Sequence, residues 1–264
     1  MEPASNERPS VLSRALGAYW KREPPPALRA HFALTWFHIV PPDASNSVAV
    51  IPDGHADLQW VNGTLRVAGP DRAVNAEPMP PGSVIIGLRF QPGAVGRWLR
   101  VAACEIVNGR VPLEEFWGAE ARALAAAVAN GGGPDDVACR IEAELVRRAD
   151  VVRPADDIAQ AMFQALATKG ADEPEITHQL ATLFGLSART LRRRSIEAFG
   201  YGPKTLHRIL RFQRFLRLAR ATPGFSSLAG LATQCGYADQ SHLSREAVEM
   251  AGTTPNKVIR QLRA

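Results

Sequence analysis

Three arginines lie at helical spacing in the C-terminal third of the sequence, at Arg189, Arg192 and Arg193. Residues three and four positions apart are neighbours on a helix surface, so burial of Leu186 and Leu191 would turn all three guanidinium groups toward one outer face. A guanidinium group can donate two hydrogen bonds to the edge of a guanine base. The pattern predicts side chains that read the major groove of DNA, with a solvated basic helix face as the alternative.

A second set of polar side chains follows about 50 residues later, after Asp239, whose residue type commonly caps a helix. Its members lie in the first turns of the predicted helix and are Gln240, Ser241, His242 and Arg245. The N-terminal end of such a helix enters the major groove in helix-turn-helix proteins. His242 has two interpretations, because it could donate to a base or phosphate or could cover the helix beside Leu243.

Two helix-turn-helix units, near residues 176–199 and 226–251, would position these side chains. In the first, Gly185 supplies a left-handed turn and Ser187 caps the second helix. The second unit repeats the buried positions of the first, with Leu231, Ala232, Cys235, Gly236 and Tyr237 in the places of Leu180, Ala181, Phe184, Gly185 and Leu186. The predicted recognition helices cover about 187–199 and 239–251.

A long helix over Pro203 to Ala221 connects the two units. Proline suits its first turn, and Thr222-Pro223-Gly224 would end it. Its apolar residues alternate with five arginines, of which we expect most to contact helix surfaces or solvent and one or two to contact phosphate: Arg208, Arg211, Arg214, Arg217 and Arg220. A rigid connection would hold both recognition helices at a spacing that suits neighbouring major grooves.

The basic charge is confined to the C-terminal part of the chain. Residues 1–150 carry 15 Lys and Arg against 17 Asp and Glu, whereas residues 151–264 carry 16 against 9. A cationic region beside a nearly neutral one indicates a polyanion-binding module joined to a module with another task. With 264 residues, we predict two domains, a β-rich domain over 1–152 for sensing or dimerisation and a DNA-binding domain over 153–264.

Short apolar runs separated by Pro and Gly predict strands in the first domain, including 31–40, 47–51 and 83–90. Asn62-Gly63 predicts a type I′ hairpin turn between two further strands. Helical composition follows over 94–101, 113–117, 119–129 and 134–151. The expected fold class is therefore α+β: an N-terminal antiparallel β sandwich or barrel with flanking helices, then an all-α domain with two helix-turn-helix units joined by a long linker helix.

Other candidates for chemistry have a structural interpretation that we favour. His31, His38 and His55 lack the spacing of metal ligands, so no metal is predicted. Asp53 and Asp57 could form a carboxylate pair, but Pro52-Asp53-Gly54 is a turn signal. Four aromatic residues could line an effector pocket or fill the core: Trp36, Trp60, Phe90 and Trp98. The three cysteines, Cys104, Cys139 and Cys235, are expected to be buried thiols.

No apolar stretch approaches the length of a membrane span, and Met1 to Ser10 lacks the regions of a signal peptide. We therefore expect a cytoplasmic protein without a membrane partner. No catalytic triad, phosphate-binding glycine loop or cofactor motif is present, so neither an enzyme nor a cofactor is predicted.

Residues 156–264 resemble the DNA-binding domain of the AraC/XylS family of transcription regulators. The similar segments are Phe184-Gly-Leu-Ser-Ala-Arg-Thr-Leu, Phe199-Gly-Tyr-Gly-Pro-Lys, Cys235-Gly-Tyr-Ala-Asp-Gln-Ser-His-Leu-Ser-Arg and Gly252-Thr-Thr-Pro. The N-terminal part also resembles a domain often joined to such regulators, in Ile51-Pro-Asp-Gly-His-Ala-Asp-Leu, Gly87-Leu-Arg-Phe-Gln-Pro-Gly-Ala and Val111-Pro-Leu-Glu-Glu-Phe-Trp-Gly. The chain departs from the family at Ser195 and Ala247, where a large apolar residue is usual, and at Arg194, where an aliphatic one is common.

The resemblance implies a sequence-specific transcription regulator that binds double-stranded promoter DNA and is controlled through its N-terminal domain. It leaves RNA polymerase, a small-molecule effector of unknown identity and a second copy of the chain open as further partners. Two alternatives remain: an N-terminal small-molecule enzyme tethered to a DNA-binding module, and an architectural DNA binder without sequence preference. The sequence does not decide the operator or the direction of regulation.

Overall fold

The computed structural model describes residues 11–12, 17–43, 47–129, 132–168, 175–222 and 227–263. In this part of the chain a β-rich N-terminal region precedes a helical C-terminal region, which confirms the predicted α+β class. The segment Met1 to Ser10 and residues 223–226, which include part of the expected end of the linker helix, lie outside the described residues.

The described strands form two antiparallel sheets. Their bounds are β1 (Val11–Leu12), β2 (Ala18–Arg22), β3 (Phe32–Ile39), β4 (Ser47–Val50), β5 (Asp57–Val61), β6 (Thr64–Ala68), β7 (Asn75–Pro78), β8 (Val84–Phe90) and β9 (Arg110–Pro112). The larger sheet has the order β2-β3-β8-β5-β6-β9, and the smaller has the order β1-β4-β7. The sequence patterns predicted β3, β4, β5, β6 and β8 but did not predict β1, β2, β7 or β9.

The hairpin between β5 and β6 has the predicted geometry. Val61 pairs with Thr64, so the loop contains only Asn62 and Gly63. Both loop residues have positive φ angles, of 47° and 98°. A type I′ turn needs this conformation at both positions, and asparagine and glycine tolerate it better than other residues.

Four helices cover one face of the larger sheet. They are α1 (Val95–Leu99), α2 (Glu114–Trp117), α3 (Ala119–Ala129) and α4 (Pro134–Ala149), as the helical composition predicted. Because side chains alternate across a strand, Leu58 of β5 and Leu88 of β8 point into the apolar core beneath these helices. The alternate residues, including Asp57 and Arg89, point to the opposite face, where polar side chains line a cavity.

Seven helices form the C-terminal region within the described residues. They are α5 (Asp157–Thr168), α6 (Ile176–Leu183), α7 (Ala188–Phe199), α8 (Pro203–Ala221), α9 (Leu228–Gln234), α10 (Gln240–Ala251) and α11 (Pro255–Arg263). The predicted linker helix matches α8 at both ends. It contacts the other six helices, and Phe212 and Phe215 lie fully buried in the shared core. No described helix combines the length and apolar character that a membrane crossing requires.

The expectation that all three cysteines are buried is wrong for two of them. Cys104 and Cys139 are exposed, and only Cys235 is buried. Cys139 lies on the outer side of α4, where neighbouring residues of the helix supply the core contacts. Burial raises the pKa of the Cys235 thiol to about 11.

We expect iodoacetamide to alkylate two thiols of the native protein quickly at pH 8. The thiolate is the reactive form, and a pKa raised to about 11 leaves Cys235 almost entirely protonated at this pH. Mass spectrometry should find the third label only after denaturation. In a variant with both Cys104→Ser and Cys139→Ser, rapid labelling of the folded chain would contradict the buried placement of Cys235.

Candidate nucleic-acid interface

The turn of the first helix-turn-helix unit is stabilised by two local features. Gly185 has a φ of +62°, the left-handed conformation that glycine adopts without steric cost. Ser187 then caps α7, because its Oγ accepts a hydrogen bond from the backbone N of Thr190 at 3.1 Å. The sequence predicted both roles, and together they fix where α7 begins.

Helix α7 has one buried face and one basic face. Leu191 is fully buried against the core, whereas Arg189, Arg192 and Arg193 are exposed. Arg193 approaches Glu197 on the same helix surface at 4.0 Å, and no other ion pair of the three arginines is found among the described residues. Their guanidinium groups are therefore accessible to a partner along one side of α7.

Helix α10 begins in the same way as α7. Oδ1 of Asp239 accepts a hydrogen bond from the backbone N of His242 at 2.7 Å, as the capping prediction requires. Gln240, Ser241 and Arg245 are exposed beside this first turn. Counted from the two capping residues, Arg189 and Arg193 of α7 correspond to Ser241 and Arg245 of α10, and all four are exposed.

His242 makes contacts on its inner side. Its ring meets the Tyr237 ring edge-on with a centroid distance of 5.3 Å, and its Nε2 lies 3.2 Å from a guanidinium nitrogen of Arg211. The side chain keeps 23% of its surface exposed. The packing interpretation of His242 therefore has structural support, and its predicted contact with DNA requires the remaining exposed edge.

The two positions that depart from the family are packed in different ways. Ser195 is buried, and its hydroxyl donates to the carbonyl oxygen of Tyr201 at 2.7 Å. Ala247 is fully buried, and the nearby Met250 is also in the core. Val248 is 53% exposed, so it does not fill the space beside Ala247. Arg194 lies 3.5 Å from Asp156 at the protein surface.

A buried ion pair joins the linker helix to the second recognition helix. Arg211 of α8 and Glu246 of α10 approach to 2.6 Å, and both side chains are only 3% exposed. The same carboxylate accepts a hydrogen bond from Nε of Arg208 at 2.8 Å, and the Arg211 guanidinium lies 4.5 Å from the Tyr237 ring centroid. These contacts fix the orientation of α10 on α8.

The sequence analysis did not identify this ion-pair cluster. A signal was available, because Arg208 and Arg211 are separated by three residues and so are Glu246 and Glu249. Each pair therefore lies on one face of its helix, with opposite charges on the two helices. Arg208 also pairs with Glu249 at the surface. Two of the five linker arginines are thus engaged with α10.

The other linker arginines have different environments. Arg214 donates a hydrogen bond to the carbonyl oxygen of Ala167 at 2.7 Å, which ties α8 to the end of α5. Arg217 is exposed, and Arg220 is partly buried. This agrees with the expectation that most of these arginines contact helix surfaces or solvent.

We expect Glu246→Gln to lower the free energy of unfolding by about 3 kcal/mol, because it leaves the buried Arg211 without its counter-charge. Urea denaturation followed by circular dichroism would measure the change. Glu249→Gln is the matched control, since this partner of Arg208 is 59% exposed and its pair should contribute less than about 1 kcal/mol. Equal effects of the two substitutions would contradict the assigned role of Glu246.

The N-terminal domain contains a charged cavity between its two sheets. Its volume is about 80 Å³, enough for several waters, since one water needs roughly 10–15 Å³ by the same measure. The charged lining side chains are four carboxylates and three guanidinium groups: Asp53, Asp57, Asp71, Glu77, Arg66, Arg89 and Arg110. Apolar residues of both sheets complete the wall.

One end of the cavity contains two carboxylates that share one arginine. Arg89 lies 2.7 Å from Asp53 and 3.2 Å from Asp57. Burial by itself would raise the pKa of Asp53, but the charge of Arg89 and hydrogen bonds from His55 outweigh it and hold the pKa well below its usual range. The backbone N of His55 donates to Asp53 at 3.0 Å, which is the predicted turn contact. The turn interpretation of Asp53 is therefore confirmed, and Asp53 and Asp57 each bind Arg89.

At the other end of the cavity, two carboxylates are paired with two guanidinium groups. Arg110 lies 2.8 Å from Asp71 and 2.7 Å from Glu77, and Arg66 lies 2.7 Å from Glu77. Burial raises the pKa of Asp71, with Arg110 partly offsetting this effect. Nη2 of Arg66 is buried and has no hydrogen-bond partner among the described residues.

The aromatic candidates divide between cavity and core. Trp36 lines the cavity, and its indole nitrogen donates to Asp57 at 3.2 Å. Phe90 and Trp98 are buried in the apolar core, and Trp60 packs at the edge of that core. His38 lines the cavity as well, while His31 is buried beside Trp98. Within the described ranges, no group of three or more His, Cys, Asp or Glu residues is placed to hold a metal ion.

The loop after β4 connects this cavity to the C-terminal helices. Ile51 belongs to the core around α8, although it precedes the cavity residue Asp53 by only two positions. The carbonyl oxygen of Pro52 accepts a buried hydrogen bond from Gln213 of α8 at 2.7 Å. The ring of His55 packs on Phe163 of α5 with a centroid distance of 4.8 Å. The loop therefore contacts the cavity on one side and two helices on the other.

A second contact reaches the first recognition helix. Nη2 of Arg72 donates to the carbonyl oxygen of Gly200, the residue that caps the end of α7, at 3.0 Å. The short 3-10 helix at Ala103–Glu105 also packs against α7. The N-terminal region thus contacts both the linker helix and a helix that we predict to bind DNA.

We expect Gln213→Met to destabilise the full chain by about 1–3 kcal/mol, because it leaves the buried carbonyl of Pro52 without its donor. Urea denaturation of the full chain measures this. Arg217→Met on the same helix is the control, since Arg217 is exposed and the change should stay within about 0.5 kcal/mol. If Gln213→Met left the free energy of unfolding unchanged, the loop would not be held by α8.

Two family models match separate parts of the sequence. Residues 180–261 match a family described as "Helix-turn-helix domain", and residues 21–112 match one described as "Domain of unknown function (DUF6597)". The chain carries an AraC-type helix-turn-helix domain. The helix-turn-helix match spans the second unit and, from Leu180 onward, the first. Neither matching family is described as an enzyme.

Comparison with solved structures matches the chain to ToxT from Vibrio cholerae, among others. An apo variant of ToxT has 11% sequence identity and a TM-score of 0.45, with 91% of this chain and 100% of ToxT covered. ToxT in a 1.65 Å structure has 10% identity and a TM-score of 0.44, with coverage of 94% and 100%. ToxT bound to an unsaturated fatty acid has 12% identity and a TM-score of 0.44, with coverage of 91% and 97%. No curated protein matches the sequence.

Proposed function

We propose that the protein is a sequence-specific transcription regulator that places α7 and α10 in adjacent major grooves of promoter DNA. The observation that carries this proposal is the equivalent exposure of polar side chains at the starts of two capped helices. Arg189, Arg192 and Arg193 read one groove. Gln240, Ser241, His242 and Arg245 read the next.

The packing around α8 supports a two-groove arrangement. This helix contacts both units, and the buried Arg211–Glu246 pair restricts the rotation of α10 on it. Recognition helices that are held rigidly bind half-sites at a fixed separation, which is about 10–10.5 base pairs for adjacent major grooves. A single chain then recognises a bipartite site.

Selection of bound duplexes from a random library tests sequence specificity with the full chain. We expect an enriched sequence with two conserved blocks about one helical turn apart. Competition in a gel-shift assay should then give specific binding at least about a thousandfold tighter than binding to unrelated duplex. Equal binding to all duplexes with the same salt slope would instead indicate the architectural function.

We expect Arg192→Ala to weaken binding to the selected duplex by about 1–3 kcal/mol, if its guanidinium group makes a bidentate contact with guanine. Fluorescence anisotropy with a labelled duplex measures the change. Arg147→Ala is a matched control, because Arg147 is 69% exposed on α4 in the N-terminal domain. If Arg192→Ala left the affinity for DNA as unchanged as the control does, Arg192 would not be one of the residues that recognise the DNA.

We also propose that the N-terminal domain controls DNA binding through the loop at 51–56. The supporting observations are the Gln213 hydrogen bond to Pro52 and the packing of His55 on Phe163, which link the cavity wall to α8 and α5. A ligand in the cavity would shift the balance between two arrangements of the DNA-binding helices if it bound more tightly to one arrangement of this loop. The solved ToxT complex contains a fatty acid, but the charged cavity of this chain favours a polar ligand.

A further inference from the structure

The cavity between the two sheets has an uneven charge distribution. At the end near Trp36, the two carboxylates of Asp53 and Asp57 face one guanidinium group, that of Arg89. At the other end, two carboxylates and two guanidinium groups balance one another. Two carboxylates thus share one guanidinium group at the first end, and a ligand cation beside Asp57 would add a further counter-charge.

Aromatic groups lie beside the carboxylate-rich end. The rings of Tyr19 and Trp36 both line the cavity and stack with a centroid distance of 6.3 Å. The face of an aromatic ring attracts a cation, and the attraction is larger where water is excluded. Carboxylates beside an aromatic wall form a suitable environment for an ammonium group.

The guanidinium group of Arg66 lies on β6, the strand next to the one that carries Asp57. Arg66 uses Nε to bind Gln59 at 3.0 Å and Nη1 to bind Glu77, whereas its buried Nη2 has no hydrogen-bond partner among the residues that the structure describes. A buried donor that stays unsatisfied is costly, so a ligand oxygen would be stabilised here. Arg66 pairs with Gln59, and Asp57 is two residues from Gln59 on the same strand face. Diagonal neighbours of this kind are about 7–8 Å apart.

We propose that the cavity binds a small molecule with an ammonium group at one end and an oxygen acceptor at the other, as in an amino acid. The ammonium group binds beside Asp53, Asp57 and the aromatic rings, and the oxygen accepts from Arg66. Apolar side chains such as Val48, Met79 and Ile85 contact the intervening carbons. This proposal rests on the control of DNA binding through the N-terminal domain, and it names the ligand chemistry.

Isothermal titration calorimetry of the full chain with three matched four-carbon probes tests the proposal without DNA. We expect 4-aminobutyrate, which has both end groups, to bind at least about tenfold more tightly than butylammonium or butyrate, which have one each. Absence of binding by 4-aminobutyrate at millimolar concentration would overturn the proposal. Butyrate binding as tightly as 4-aminobutyrate would overturn it as well, because the carboxylate-rich end would then have no role.

Two substitutions at opposite ends locate the ligand. We expect Asp57→Asn to weaken 4-aminobutyrate binding about tenfold while leaving butyrate binding unchanged. Arg66→Gln should weaken 4-aminobutyrate binding and leave butylammonium binding unchanged, so it tests the site if the first variant does not fold. Asp135→Asn, on the exposed face of α4, is the control. A 4-aminobutyrate affinity that neither cavity variant alters would overturn the proposal.

Gel-shift measurements separate this proposal from the proposed DNA-binding function. The ligand-free chain should bind its selected duplex specifically whatever the outcome of calorimetry. If DNA binding is specific but 4-aminobutyrate does not bind, only the ligand assignment fails. If 4-aminobutyrate binds with the expected preferences but the chain shows no sequence preference, the proposed DNA-binding function fails and the ligand site remains.

Discussion

The buried pair between Arg211 and Glu246 constrains the geometry on which DNA recognition would depend. Two charges that are each 3% exposed lose most of their hydration, and only close mutual contact offsets this cost. Any rotation of α10 on α8 would separate them in an environment of low dielectric constant. The pair therefore contributes less to net stability than to the choice of one orientation, which we infer is the orientation that exposes Gln240 and Arg245 together.

The two helix-turn-helix units are attached to α8 by different means. The second is fixed by the charged cluster of Arg208, Arg211 and Glu246. The first is held by apolar contacts of Leu191 and Phe199 in the shared core. The buried hydroxyl of Ser195 donates to the carbonyl of Tyr201, just before α8, which avoids the cost of an unpaired hydroxyl.

The N-terminal domain uses the two faces of one sheet for separate tasks. The apolar face packs under α1 to α4 and supplies the stability of the domain. The polar face encloses a cavity whose ion pairs would be costly without one another. The loop at 51–56 contributes Asp53 to this cavity and Ile51 to the core around α8, so it connects the two sites. This shared loop is the physical basis of the control that we propose.

Local sequence determined several turns and helix starts of this protein. Asn62-Gly63 set the hairpin, Ser187 and Asp239 set the starts of α7 and α10, and Pro203 set the start of α8, because each acts through backbone geometry or hydrogen bonds within a few residues. The alternation of apolar and polar residues likewise predicted the strands with long buried runs. It did not predict β7 or β9, which are short and carry charged residues such as Glu77 and Arg110 toward the cavity.

Tertiary structure alone decided which distant side chains meet. The sequence indicated a turn at Asp53, but only the fold shows that Arg89 of β8 contacts both Asp53 and Asp57. Arg66, Arg110, Asp71 and Glu77 come from separate segments, and no local pattern relates them. The Gln213 contact with Pro52 spans 161 positions. Such contacts depend on strand order and on how the helices pack, and these are set by the sum of many weak apolar contacts that no single motif encodes.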